Sequence, residues 1–327
     1  MEKGNEIMLR AMDSAVAGLR SHQNKMDVVG HNIANVNTFG FKAQTYTFKE
    51  AMYQTSTVST GGGSNSGGIN AAQYGYGTLM GSIGMDMTAS TPSYVGGFNA
   101  SIDGEGFFIT KPTKTTVPNT SADIKGAGFE FTRVGQFKLD NNGYVTDANG
   151  NFVYGFRWES EKDGVITYET DLKALRVPLV DDKGVPTIND DDGEDKASQS
   201  ITIEINNAGV ITATVKFVTD PTAGTTDSKT VTLGRVGIAT FQNPNGVTKS
   251  GGNYYTVNKT DNTGLAVGAA PGEAGTATLM GGFIEASNVD LAKEFADMIT
   301  THRGFQANSK MITVSDEMLQ DLVSMKR

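Results

Sequence analysis

The 327-residue chain has no cysteine, which excludes disulfide staples, thiolate nucleophiles and cysteine-based zinc sites. Its three histidines, His22, His31 and His302, are too few for a histidine-rich metal centre. No run approaches the roughly 20 apolar residues that a membrane-spanning helix needs, so no membrane insertion is expected. No cluster of Lys and Arg occurs, and the net charge is −9. That is the wrong sign for a polyanion partner, so nucleic acid is not expected either. The first thirty residues carry Glu2, Glu6, Asp13 and Asp27 and lack the basic-then-apolar order of a secretory leader. A protein exported with this N-terminus would leave without a conventional cleaved signal.

What is abundant is glycine. Forty glycines are about 12% of the chain, against a usual share of roughly 7%. With only eight prolines this is no collagen-like or Pro-rich composition; it suits a β-rich chain with many tight turns. A hydrophobic fraction of 38% can build cores, and the length suits two or three domains. Residues 1–60 and 280–327 are close to charge-balanced, so the acidity resides in the middle.

Both ends are periodic. Met8, Met12, Ala15, Leu19, His22, Met26, Val29 and Ile33 alternate spacings of 4 and 3, a heptad seam. Asn35, Asn37 and Gly40 can stop that helix, because Asn and Gly tolerate the left-handed conformation. A helix is expected near 6–35. At the other end Leu291, Met298, Phe305, Ile312 and Leu319 recur every seven residues, with Phe295, His302 and Val323 on the adjacent track. Ser287 with Asp290 resembles a capping box and places a second helix near 288–325. Both stripes are narrow, as a supercoiled pairing wants.

Between them the texture is β. Residues 61–84 hold nine glycines and read as a pliant connector. Short runs rich in β-branched and aromatic residues follow, among them 106–110, 129–132, 135–139, 144–146, 151–156, 201–205, 210–218, 231–233, 236–241 and 254–257. Asp140-Asn141-Asn142-Gly143 and Ala148-Asn149-Gly150 are hairpin turns, since Asn-Gly accepts positive φ. Residues 181–198 are acidic and apolar-poor, an exposed excursion.

Motifs for chemistry fail on inspection. With Gly193 at the sixth position of a calcium loop, Ile188 and Gln199 occupy the first and twelfth, where carboxylates are required. Gly104-Glu105-Gly106 and Gly75-Tyr76-Gly77 lack the third glycine of a phosphate loop, which Ile109 and Met80 replace. No Gly-x-Ser-x-Gly elbow lies between a strand and a helix. His22 and His302 lie on the helical seams, where a polar residue more often sets register, and the seam methionines suit uneven packing. No catalytic residue, cofactor or metal site is expected. The two apolar stripes either pair with each other in a monomer or are completed by further copies, so that assembly finishes folding.

The run Gly18 to Lys42, above all Asn32-Ile33-Ala34-Asn35-Val36-Asn37-Thr38-Phe39-Gly40-Phe41-Lys42, resembles the N-terminal signature of bacterial flagellar rod and hook proteins. Further matches follow in order: Gly104-Glu105-Gly106-Phe107-Phe108, Phe131-Thr132-Arg133-Val134-Gly135-Gln136-Phe137, Ser287-Asn288-Val289-Asp290, and the stretches Asn308–Lys310 and Asp316–Leu319. The resemblance spans the chain and is weakest over about 157–230. It implies a non-enzymatic subunit of the flagellar axial tube, a helical homopolymer whose terminal helices pair and line an export channel. It also implies export through the flagellar type III apparatus with an uncleaved signal, a place in the hook or basal body, and rod, hook-cap and hook-filament junction proteins as partners.

Within that family, 18–28 is closer to the hook branch than to the distal rod branch. After Tyr53-Gln54-Thr55 the chain reads Ser56 to Gly63, where the stiff distal rod carries a Gln-containing stretch. The expectation is therefore a bendable hook that transmits torque from rod to filament, with 61–84 supplying compliance; the distal rod is the alternative, and the chain is short for a hook. From another class, a calcium-stabilised surface adhesin or carbohydrate-active β-protein is the competitor. The expected fold is α+β, with paired N- and C-terminal coiled-coil helices, central all-β domains and a Gly-rich extended connector. The boundaries are 1–40 and 284–327 for the helices, 41–84 for the connector, 85–158 and 231–283 for the β-rich domain, and 159–230 for a small outer β domain or insertion.

Overall fold

The computed structural model describes residues 2–63, 67–162, 165–177, 179–180, 186–187, 200–220 and 225–325. The chain divides into two compact units, one of residues 1–36, 43–86 and 289–327, the other of residues 37–42 and 87–288. Among the described residues three α-helices occur: α1 (Glu2–Ala34), a short α2 (Ser121–Gly126) and α3 (Leu291–Ser324).

In the first unit α1 and α3 run antiparallel. Asn32 Nδ2 donates to Glu294 Oε1 (3.0 Å) and Lys25 Nζ to Asp297 Oδ1 (3.0 Å). Further along α1, His22 faces Gly304 and Gly18 faces Asn308. Small and polar residues make this seam. Ala15, Gly18, Ser21, Val28, Val29 and Asn32 are buried on α1, and Glu294, Thr301 and Ser315 on α3.

Of the expected stripe, Ala15 and Val29 lie in that line, and the bulkier residues lie beside it. Met12, Leu19, Met26 and Ile33 are half-buried, as are Met298, Phe305, Ile312 and Leu319; Leu291 and Phe295 are exposed. The side chain of Met8 lies outside the described residues. The physical reason is close approach. A Cβ on Gly18 would stand 2.7 Å from Asn308 Nδ2, and one on Gly304 would stand 2.6 Å from the His22 ring. Backbones this near leave no room for large side chains between them.

The segment expected to be pliant is a hydrogen-bonded ribbon. Strands β1 (Gln44–Glu50), β2 (Tyr53–Thr57), β3 (Ala72–Gly75) and β4 (Thr78–Met85) pair as β1 with β4 and β2 with β3, and Thr60 bridges Ile69 beyond them. β-Branched and aromatic residues such as Thr45, Tyr46, Thr47 and Phe48, with Ile83 opposite Tyr46 and Met80 opposite Phe48, favour strand. Of the glycines in 61–84, Gly75, Gly81 and Gly84 lie in strands, while Gly61 and Gly67 have open space around them. A Cβ on Gly81 would meet Thr47 Oγ1 at 2.8 Å, so that glycine serves strand contact. Ser21 Oγ donates to the Thr78 carbonyl (3.1 Å) and holds β4 to α1.

The second unit is built of antiparallel pairs. The two Asn-Gly turns close consecutive hairpins with Gly143 at φ +76° and Gly150 at φ +89°, joining Phe137–Leu139, Val145–Asp147 and Phe152–Lys162. A strand occurs at each of the ten positions read from composition, with ends shifted by a few residues. Phe108, Phe137, Val153, Leu175, Ile211 and Leu233 belong to one core. Strands Val210–Asp220 and Thr225–Val236 continue the sheet of Phe152–Lys162 through Phe156 opposite Arg235. The acidic stretch of 189–195, weighed as a calcium loop, lies outside the described residues. The unit closes on itself: Ala100–Asp103 pairs with Thr278–Gly281, and Pro92–Tyr94 with Phe283–Glu285.

α3 starts three residues later than expected. Asp290, not Ser287, is the N-cap, and its Oδ1 accepts from the amides of Ala292 (2.9 Å) and Lys293 (3.3 Å). The Ser287 carbonyl instead accepts from the Ser90 hydroxyl. Asp290→Ala should therefore cost about 1 kcal/mol, read as a lower urea midpoint of the helical signal at 222 nm. An unchanged midpoint would refute the cap.

Candidate functional site

The signature residues fall into two clamps, one in each unit. In the first, the Asn32 carboxamide acts as a backbone mimic. Its Nδ2 donates to the Gln44 carbonyl (2.8 Å) while its Oδ1 accepts from the Gln44 amide (2.9 Å). The same Nδ2 reaches Glu294 on α3. One buried asparagine thus holds the start of β1 and the first turn of α3 to α1. No apolar residue could do this, since both edges of the carboxamide are used. Burial is the main cause pushing the Glu294 carboxyl above its ordinary value, and the Asn32 bond opposes it. Asn35 Nδ2 donates to the His31 carbonyl (2.9 Å) at the end of α1.

In the second unit, Asn37 and Phe39 are exposed and the chain then turns inward at Gly40. Gly40 has φ +68°, and a Cβ there would sit 2.9 Å from Val134 Cγ2. Its amide donates to the Glu285 carbonyl (2.9 Å). Phe41 is buried under the Lys249 ammonium, 4.5 Å from the ring centre, and burial pushes that amine down.

Lys42 follows, fully buried. Its Nζ donates to Glu285 Oε1 (2.8 Å) and to the Thr88 carbonyl (2.6 Å). Oε1 also accepts from the Ser90 amide (3.0 Å). Glu285 Oε2 faces Arg133 Nε at 3.6 Å, an ion pair without a hydrogen bond. Burial pushes the Arg133 guanidinium down, and Glu285, Tyr255 and Glu105 push back. Arg133 also lies over the Phe107 ring, 5.7 Å from its centre. Burial raises the Tyr255 phenol to about 12 against the pull of Arg133. One buried carboxylate thus serves two buried cations.

The remaining signature residues frame this hub. Phe107 packs on Tyr255 and Phe241, Phe131 on Phe241, and Phe137 on Phe108. A Cβ on Gly135 would overlap the Ala100 carbonyl oxygen, whose own amide donates to the Gly135 carbonyl. Gly104 and Gly106 abut Ala277 and Ile238. Glu285 itself was missed from sequence. Its signal was a lone charge within the otherwise uncharged run Gly281 to Asn288.

Chemically, the arrangement holds segments together. Among the described residues no group of three or more His, Asp and Glu is placed to bind a metal. A cavity of about 310 Å³ beside Phe39 is lined by Asp147, Asn149 and Tyr254. The Tyr254 hydroxyl donates to Asp147 Oδ2 (2.5 Å) and accepts from Asn149 Nδ2 (2.9 Å), so these groups satisfy one another.

A family model described as flagella basal body rod protein matches residues 12–42. One described as the C-terminal part of the flagellar basal body rod FlgEFG proteins matches residues 280–325. Lys42 ends the first window and Glu285 lies in the second. The chain is 35% identical to the flagellar basal-body rod protein FlgG of Bacillus subtilis, over 98% of this chain and all of that protein. It is 26% identical to the flagellar hook protein FlgE of Borreliella burgdorferi, again over 98% and 100%. Against the FlgG of Caulobacter vibrioides it is 26% identical over 95% of this chain and 97% of the relative.

Removing the shared anion should cost more than removing one cation. Glu285→Leu should destabilise the second unit by about 3–5 kcal/mol or more, and Lys42→Met by less, because Arg133 and the Ser90 amide still face the carboxylate. The single tryptophan, Trp158 of strand Phe152–Lys162, reports urea unfolding of this unit. Equal midpoints for both variants would contradict the hub.

Proposed function

The chain belongs to the bacterial flagellar rod and hook family, and from that premise we propose that it is a rod-type subunit of the axial tube, completed by copies of itself. The family is a structural one of the flagellar basal body and hook. The observation that carries self-assembly is the apolar surface on the helical unit. Leu291, Phe295, Ile299, Met311, Met318 and Val323 of α3 are exposed, flanked by the half-buried Met298, Phe305, Ile312 and Leu319. The ribbon adds Met52, Val58, Ile69 and Tyr74. Exposed apolar surface on this scale marks interaction sites. Met12, Leu19, Met26 and Ile33 complete the stripes that neighbouring copies would cover, around an export channel.

Two observations favour rod over hook. The FlgG of Bacillus subtilis aligns over 321 residues, almost this chain's own length, whereas the hook protein alignment extends to 458. The connector that would give compliance is paired as far as Thr60 and Ile69, and a ladder resists the bending that a loose glycine chain permits. The hook remains the second reading because of the hook-like run at 18–28 and the full-length similarity to hook proteins. In either setting the subunit's neighbours are other rod, hook and junction proteins, and it reaches them through the flagellar export apparatus with its N-terminus intact.

Electron microscopy of the concentrated chain tests both levels. Straight tubes are expected; curved tubes would assign the hook, and no tubes would remove self-assembly. Phe305→Asp places a charge on the half-buried α3 stripe and should abolish tubes while leaving the Trp158 unfolding transition unchanged. Normal tubes from this variant would take Phe305 out of the contact.

A further inference from the structure

His22 sits where α1, α3 and β1 of the helical unit meet. Its ring packs on Phe48 of β1, 5.4 Å between centres and tilted by 59°. On the other side stands Gly304 of α3, close enough that even a methyl group would lie 2.6 Å from His22 Cε1. Nδ1 is buried and makes no hydrogen bond among the described residues. The Tyr46 hydroxyl of β1 and the Thr301 hydroxyl of α3 are likewise buried without a partner. An unpaired buried acceptor is costly, and an unpaired buried cation costs far more.

We infer that His22 is a protonation-sensitive joint: the α1–α3 pair closes over the neutral ring and opens when the ring takes a second proton. Among the described residues, none of the charged and titratable groups around it hydrogen-bonds Nδ1. On its own helix, Lys25 is a like charge. On α3, Asp297 is already bonded to Lys25 and Glu294 to Asn32. β1 presents Phe48 and, one ring further, the Tyr46 phenol. Burial first and Lys25 second lower the His22 affinity for a proton below its ordinary value of 6.5.

The sign follows. Below about pH 6.5 the opened chain binds a proton that the closed pair refuses, so closure loses stability as pH falls and is fully stable only above that value. His31 and His302 are exposed. The joint concerns the helical unit of a single chain and holds for a rod or a hook subunit alike.

Hydrogen exchange of the full chain, read by mass spectrometry at pH 7.5 and 5.5 and corrected for intrinsic rates, tests it. Peptides around 15–32 of α1 and 294–315 of α3 should lose protection at pH 5.5 relative to pH 7.5. His22→Asn should abolish that difference, whereas His302→Asn should keep it. Should His22→Asn be poorly folded at pH 7.5, His22→Phe provides the neutral ring instead. Equal protection of the wild-type helices at the two pH values would overturn the joint, as would a pH-dependent loss that persists in the neutral variant.

Discussion

A single carboxylate closes the second unit. Glu285 lies on the last strand before α3, Lys42 lies just past the end of α1, and they are 243 residues apart in sequence. Their pairing at 2.8 Å, both side chains buried, joins the two ends of that unit, with Arg133 as the second cation. A buried ion pair is weak evidence for net stability, because desolvation offsets much of the attraction. What it supplies here is discrimination. A one-residue slip of strand Phe283–Glu285 against Pro92–Tyr94 would turn Glu285 to the other face and strand two buried cations. Register and ion pair therefore enforce each other, and the Gly40 amide on the Glu285 carbonyl fixes the same residue through its backbone.

The helical unit follows a different rule. Its seam is narrow because it is small and polar, and it is specific for the same reason. Asn32, Lys25, His22 and Gly18 each meet a defined residue on α3, so the pair has one register. The cost is that little apolar surface is buried between the helices, and the large side chains are displaced to the flanks. Long helices gain most of their stability from packing an apolar face. These two have such faces and leave them partly uncovered.

This explains what could be read from sequence. Periodicity located α1 and α3 because 3.6-residue repetition is local, and the Asn-Gly hairpins were legible because positive φ is a property of residue type. Which side of each helix touches the other was not legible. The heptad of bulky residues is the louder pattern, yet Gly18 and Gly304 decide the approach, and small residues carry no hydropathy signal. Glycine also misled over 61–84, where composition suggested a joint. Glycine frees a backbone only if nothing pairs with it, and strand pairing of β1 with β4 and β2 with β3 is non-local. Glu285 escaped for a related reason: a carboxylate reveals itself as buried only when its partners, 243 residues away in the case of Lys42, are brought beside it.

A two-stranded ribbon is marginal in water on its own, and the segment from β1 to β4 exposes Phe48, Met52, Tyr53 and Met80 beside only two charged residues, Lys49 and Glu50, of the kind that usually protect a free edge. The helical unit thus has two incomplete parts: a ribbon with exposed apolar side chains, and a helix pair joined by a polar seam with apolar flanks. Each alone would be an aggregation liability in a monomer. On the proposed self-assembly, together they would be the condition for growth by addition. A neighbour covering these surfaces would supply binding energy that the isolated subunit lacks, so the stability of the helical unit would rise with assembly by mass action. The second unit holds its core of described residues within one chain, although its ion pair leaves Arg133 Nε and Glu285 Oε2 without hydrogen bonds. The two units therefore differ in where the described chain buries its large side chains: in a core in the second, and only in part in the helical unit, whose flanks the proposed neighbours would cover.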